Sequence, residues 1–402
     1  MNTKALLQSY TLPCGVMIKN RIAKAAMTER LANKKQEVTK ELIHLYDHWA
    51  NNGAGLLITG NIMVDARYKE ASANIVLEDE KGVSKLSEMI KAGTKNDTQL
   101  WAQINHAGRQ ASIFSTFKPI APSAIQLKKL MLFAKPKAMN VEQIKDVENR
   151  FVNTAILSKK AGFTGVQIHA AHGYLLSQFL SPKTNQRTDN HGGSIQNRAR
   201  LLFDIVKRVR EELGENYPIS VKLNSADFQR GGFNEEDALY VIKKLESLQI
   251  DLLEISGGTY ENIIFLTQRY QRESTKQREA YFLDFAKKIR KETALPMMVT
   301  GGFRSHAFCN QVLENKELEM IGFARPFLVD KDFPKQFLKD EQAKVDDATF
   351  NFKIKKMKDF AEAGFYDYQI HQLAKGKELK PDYNPYLAVL RLTTNELRKG
   401  WF

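Results

Sequence analysis

Cysteine is nearly absent from this chain: two in 402 residues, Cys14 and Cys309. They lie far apart and form no C-x-x-C pair. No zinc site, iron–sulfur cluster or disulfide framework can be built on them, and a reduced, cytoplasmic setting is the expectation. Long apolar runs are missing too. None approaches the ~18 residues that span a bilayer. The opening MNTKALLQSYTLPCG has no apolar h-region followed by a small-residue cleavage site, so neither a secretory signal nor a membrane partner is expected. Acidic residues are outnumbered, 46 against 60 Lys and Arg, leaving a net charge of +14. Such an excess favours a polyanionic partner, either nucleic acid or a phosphorylated small molecule. Yet Lys243, Lys244, Lys287, Lys288 and Lys291 are spread over helix surfaces rather than gathered into a stripe. A solvated basic surface is the reading, and nucleic acid is not expected.

What the chain does have is alternation. Hydrophobic residues make up 43%, enough for a large core. Residues 10–12 and 16–18 flank a Pro13–Cys14–Gly15 turn and read as a β-hairpin placed to plug the bottom of a barrel. Segments 22–27, 55–59, 99–105, 164–168, 219–224, 252–256, 296–300 and 320–323 read as strands. Between them apolar residues fall at helical spacing, as in Leu42, Leu45, Tyr46, Trp49 and Ala50. Asn140 and Asn234 stand as N-caps, Gly53 and Gly162 as stops. Eight strand–helix units imply an α/β fold with a parallel sheet closed into a (β/α)8 TIM barrel; an open doubly wound sheet is the fallback. Residues 1–340 form that barrel. Residues 341–402 form a C-terminal helical extension, packed on the barrel or on a second copy of the chain in a homo-oligomer. Two connections, 110–139 and 257–279 (the latter with Tyr260, Phe265 and Tyr270), are too long for turns. Both follow strands, so they are expected to wall a substrate pocket.

Barrels collect their chemistry at the C-terminal ends of the strands. Strand four ends at His169, with His172 and Tyr174 just beyond. Two imidazoles and a phenol so close together can polarise a carbonyl oxygen and protonate a carbon. The alternative is a purely structural role, with histidines bonded at a strand end and Tyr174 a core aromatic. A metal is not expected, since no convincing carboxylate ligand stands near the histidines. Lys222, in I-S-V-K-L-N, is a cation where Val or Ile is usual. Its burial is costly unless paired, and Glu254 in L-L-E-I-S is the candidate partner. Gly301 and Gly302 follow strand seven, and Ala324, Arg325 and Pro326 follow strand eight. That is where barrels seat a phosphate, on open backbone N–H groups and an arginine fork. Strand three supplies Gln103, and His106 and Arg109 follow it as loop-fixing or substrate-side residues. Asn185, Arg187, Asp189, Gly192, Gly193 and Arg198 read as a loop fastened by its own hydrogen bonds.

The run H-A-A-H-G-Y-L-L-S-Q-F-L-S-P from 169, followed by N-x-R-T-D-x-x-G-G-S-I-x-N-R from 185, resembles the signature of the Old Yellow Enzyme family of FMN-dependent ene-reductases. The resemblance covers roughly residues 1–340. It implies that Ala26, Met27 and Thr28 line a flavin, with the Thr28 hydroxyl tuning a ring carbonyl. Gly60 and Gln103 would meet the ring's polar edge and Lys222 its anionic side. Gly301, Gly302, Ala324 and Arg325 would hold the FMN phosphate. His169 and His172 would grip a substrate carbonyl, and Tyr174 would deliver a proton. The implied activity is ping-pong reduction of an electron-poor C=C bond, such as that of an α,β-unsaturated carbonyl, with NADPH or NADH as reductant. Lys222 stands where many members have arginine, Ala26 where many have proline, and Thr28 where one subgroup has cysteine. The alternatives are a tRNA-dihydrouridine-synthase-like FMN barrel and a flavin- or polyanion-binding protein without turnover. The first resembles a barrel with a catalytic cysteine after strand three, and residues 99–139 contain none.

Overall fold

The computed structural model describes residues 4–400 apart from 130, 260–279, 281, 346–347, 349–351 and 355–356. Eight parallel strands follow one another round a closed ring: β1 (Ile22–Lys24), β2 (Leu56–Met63), β3 (Gln99–Asn105), β4 (Gly165–Ala170), β5 (Ile219–Asn224), β6 (Leu252–Ser256), β7 (Met297–Thr300) and β8 (Met320–Phe323). Pairing of β8 with β1 and of β1 with β2 closes the cylinder. A short strand, Ile75–Val76, hangs on the outer end of β2. The strands are buried almost throughout, as expected where helices cover one face and the barrel interior the other.

Helices of seven residues or more begin with α1 (Lys40–Asn51), α2 (Val83–Gly93), α3 (Val141–Ala161), α4 (Arg200–Leu213), α5 (Glu235–Ser247), α6 (Leu283–Ile289), α7 (His306–Glu314) and α8 (Lys358–Leu373) among the described residues. Local chemistry sets their ends. Thr39 Oγ1 accepts from Leu42 N at α1. Asn140 and Gln143 form a reciprocal capping box at α3, which stops at Gly162 with φ 104°, a conformation glycine adopts at little cost. Asn234 caps α5. Leu12 and Ile18, from the N-terminal hairpin of Tyr10–Thr11 and Met17–Ile18, pack with Ala23, Ile58, Trp101, Met298 and Met320, sealing the lower end of the barrel.

Helix α8 packs against α1 and the turn after β8, and a last helix, Pro385–Gly400, packs on α8. Glu396 of that last helix accepts from Arg30 Nε (3.2 Å) and Ser72 N (2.9 Å), so the C-terminal region is fastened to the barrel's own loops. The expected wall 257–279 lies outside the described residues from 260 onward. No described residue of the other, 110–139, lines the cavity at the C-terminal ends of the strands. Ile125 and Gln126 instead border a smaller one of about 200 Å³ beside Gly173 and Ser177.

Candidate active site

One cavity of about 270 Å³ opens at the C-terminal ends of the strands. Ala26, Met27, Thr28, Gln103, His169, His172, Tyr174, Lys222, Gly301, Gly302, Ala324 and Arg325 all line it. Gly60 does not. Its N–H donates to Glu29 Oε1 (2.8 Å), and a Cβ there would lie 2.2 Å from Glu29 Oε2 and 2.4 Å from the Met27 carbonyl. Glycine at 60 is thus required by the close approach of the loop after β1.

The His169 ring sits 5.2 Å from that of His172 and 4.8 Å from that of Tyr174, centre to centre and edge to face. Ala171 N donates to His169 Nδ1 (3.2 Å), which places the ring proton on Nε2 and makes that atom a donor. His172 Nε2 shares a 2.7 Å hydrogen bond with Ser256 Oγ. Burial first, then the nearby Lys222 charge, holds both imidazoles well below their usual pKa. They are neutral at physiological pH, suited to donating a hydrogen bond to a carbonyl oxygen. His172 and Gly173 take φ of 60° and 76°. A non-glycine residue in the left-handed region carries strain that surrounding contacts must hold in place, and His172 N donating to Asn224 Oδ1 (3.1 Å) is one of them.

Lys222 Nζ lies 2.8 Å from Glu254 Oε1, both side chains almost fully buried. Glu254 also accepts from Thr300 Oγ1 (2.8 Å) and Gln167 Nε2 (2.9 Å), and Gln167 accepts from Gln103 Nε2 (2.7 Å). The ion pair is therefore real, and Lys222 lines the cavity as well. At the far side Gly301 and Gly302 have φ of 113° and 87°, and Arg325 is held by Glu362 of α8 (3.2 Å). The loop after Tyr174 is fastened by its own hydrogen bonds, Asn185 Nδ2 donating to the carbonyls of Phe179 and His191, both at 2.7 Å, and Arg198 Nε to the Gly193 carbonyl (3.1 Å), and Arg198 also ties it to Asp237 of α5. His106 is buried, and its Nδ1 accepts from Gly108 N (3.0 Å). It fixes its loop and does not line this cavity.

The lining also contains residues that sequence reasoning passed over, chiefly Arg30, Asn61, Glu70, Ser256 and Asp367. Thr28 Oγ1 donates to Glu70 Oε2 (2.9 Å), so in this arrangement its proton is directed to a carboxylate. Asn61 reaches the cavity because β2 bulges. Ile58 pairs with Trp101 and the next registered pair is Asn61 with Gln103, three residues advancing against two. An extra residue reverses the facing of every side chain beyond it. A glycine inside a strand pattern, here I-T-G-N-I-M, was the available signal.

The residues fit a phosphorylated flavin. A buried, anion-pinned ammonium, two left-handed glycines and an arginine stand around one cavity with neutral imidazole donors. A sequence profile of the NADH:flavin oxidoreductase / NADH oxidase family matches residues 13–343. An NADH-dependent flavin oxidoreductase of Hypocrea jecorina is 34% identical over 364 residues, covering 84% of this chain and 90% of the relative. An NADPH dehydrogenase of Bacillus pumilus is 32% identical over 344 residues, covering 83% and 94%. Among solved structures, an old yellow enzyme homologue from Zymomonas mobilis superposes with a TM-score of 0.73 at 23% identity, covering 88% of this chain and 98% of that one.

Proposed function

The chain belongs to the NADH:flavin oxidoreductase / NADH oxidase family, and on that premise we propose that it uses FMN and NAD(P)H to reduce the activated C=C bond of an α,β-unsaturated carbonyl or similar electron-poor compound. The observation that carries this reading is the grouping of two neutral imidazoles and a phenol, with the His169 ring within 5.2 Å of both the His172 and Tyr174 rings, in the cavity that also holds Lys222 and Arg325. FMN, when bound, supplies hydride transfer. Gly301, Gly302, Ala324 and Arg325 hold its phosphate. Ala26, Met27, Thr28 and Gln103 bind its ring, and Lys222 balances negative charge there.

His169 and His172 donate to the substrate carbonyl and draw electron density from the alkene. Tyr174 hands its proton to the carbon next to the carbonyl. Reductant and alkene occupy the same cavity in turn, a ping-pong order. The test is anaerobic reduction of the FMN-loaded protein by NADH or NADPH, then reoxidation by 2-cyclohexenone. Tyr174→Phe should leave the first step intact and slow the second by roughly 10²-fold, the scale of general acid catalysis. Equal rates in both steps would exclude Tyr174 as the acid.

A further inference from the structure

We propose that Asn61 is a positioning residue for proton transfer: its amide aims an N–H at the Tyr174 oxygen and thereby directs the phenol's own proton elsewhere. This rests on the reading of Tyr174 as the acid. Asn61 Nδ2 lies 3.2 Å from Glu70 Oε2 and 3.4 Å from Tyr174 Oη. Its Oδ1 accepts from Asn105 Nδ2 (3.1 Å). Four donors converge on Glu70, from Thr28, Asn61, Asn74 and Arg30, as befits an ionised carboxylate that can only accept. The amide is therefore held in one orientation, nitrogen toward Glu70. Its two hydrogens serve the carboxylate and the phenol oxygen.

The phenol oxygen is then the acceptor in the Asn61 contact. As its proton leaves, negative charge gathers on that oxygen, and an N–H already aimed there stabilises the charge without rearrangement. A purely structural amide would not need to face the cavity. Yet Asn61 stands three residues after Ile58, and only the bulge between them lets it share the interior that Ile58 faces; an unbulged pleat through these same residues would turn it away.

The experiment compares Asn61→Leu, Tyr174→Phe and the double variant, each loaded with FMN, by stopped-flow. Reduction by NADH should change less than about twofold in all three, since no proton is donated in that step. Reoxidation by 2-cyclohexenone should slow about tenfold in Asn61→Leu, less than the 10²-fold or more lost with a well-placed oxyanion donor. The alkaline limb of its pH profile should move to higher pH. In the Tyr174→Phe background Asn61→Leu should have no further effect. The same loss in both backgrounds, or an unchanged rate and pH profile, overturns the proposal while leaving Tyr174 as the acid. A Tyr174→Phe variant that reoxidises at the normal rate overturns the acid reading itself. Should Asn61→Leu fail to retain FMN, Asn61→Ala serves in its place with the same expected results.

Discussion

Removing the carboxylate from the buried Lys222–Glu254 pair should cost more than removing the ammonium. In Glu254→Gln the contacts to Thr300 and Gln167 can persist in altered form, but the Lys222 ammonium, 4% exposed, loses its anion. Stranding one member of a buried pair costs roughly 3–5 kcal/mol. At about 2.1 cal/mol/K per residue, 402 residues carry an unfolding entropy of about 0.84 kcal/mol/K. The midpoint should therefore fall by roughly 4–6 °C. Lys222→Met leaves Glu254 with its two remaining donors at 2.8 and 2.9 Å, so the fall should be smaller. Thermal unfolding of the flavin-free proteins, followed by circular dichroism, separates these effects from cofactor loss. A fall of under about 1 °C for Glu254→Gln, or a larger fall for Lys222→Met, would refute the reasoning.

The acid side of the stability profile should bear the mark of His106. Burial lowers its pKa to about 4, so between pH 6.5 and that value the unfolded chain takes up a proton the folded one refuses. Stability is lost as pH falls through this window, by about 3 kcal/mol in all for this residue. His106→Gln should flatten the limb by up to about 1.4 kcal/mol per pH unit, as read from denaturant unfolding at stepped pH; an unaltered slope would sink the assignment. Gly60→Ala forces a methyl into contact with the Met27 carbonyl and Glu29 and should cost roughly 1–3 kcal/mol of overpacking. A Gly60→Ala protein as stable as the parent would show that the loop after β1 can yield.

Much of the barrel was legible because its strands are short, apolar and bounded by turn residues. Segments 99–105, 219–224, 252–256 and 320–323 coincide with strands β3, β5, β6 and β8. The errors fall where the chain leaves the ladder for the cavity. Strand one ends at Lys24 rather than 27, and Ala26, Met27 and Thr28 beyond it line the site. Strand two continues past 59 to Met63 through its bulge, which a simple period-two reading cannot cross. His169, His172 and Tyr174 could be seen because they crowd into six residues. Glu70, Arg30 and Asp367 could not, because nothing in sequence ties a carboxylate on the loop after β2 to a guanidinium forty residues earlier or to helix α8. Only closure of the ring brings β1, β2 and α8 side by side.

The single extra residue in β2 divides that strand into two codes. Below it, an interior position means grease, and substitutions there are judged by volume alone. Above it the same numbering parity points the other way, and the first inward position, Asn61, is judged by the hydrogens it can offer. Deleting Gly60 would leave Asn61 two residues after Ile58, so a strand of ordinary pleat would still turn its amide inward. Straightening the strand with every residue kept is the change that would turn the amide out, leaving an intact cylinder with its phenol unattended.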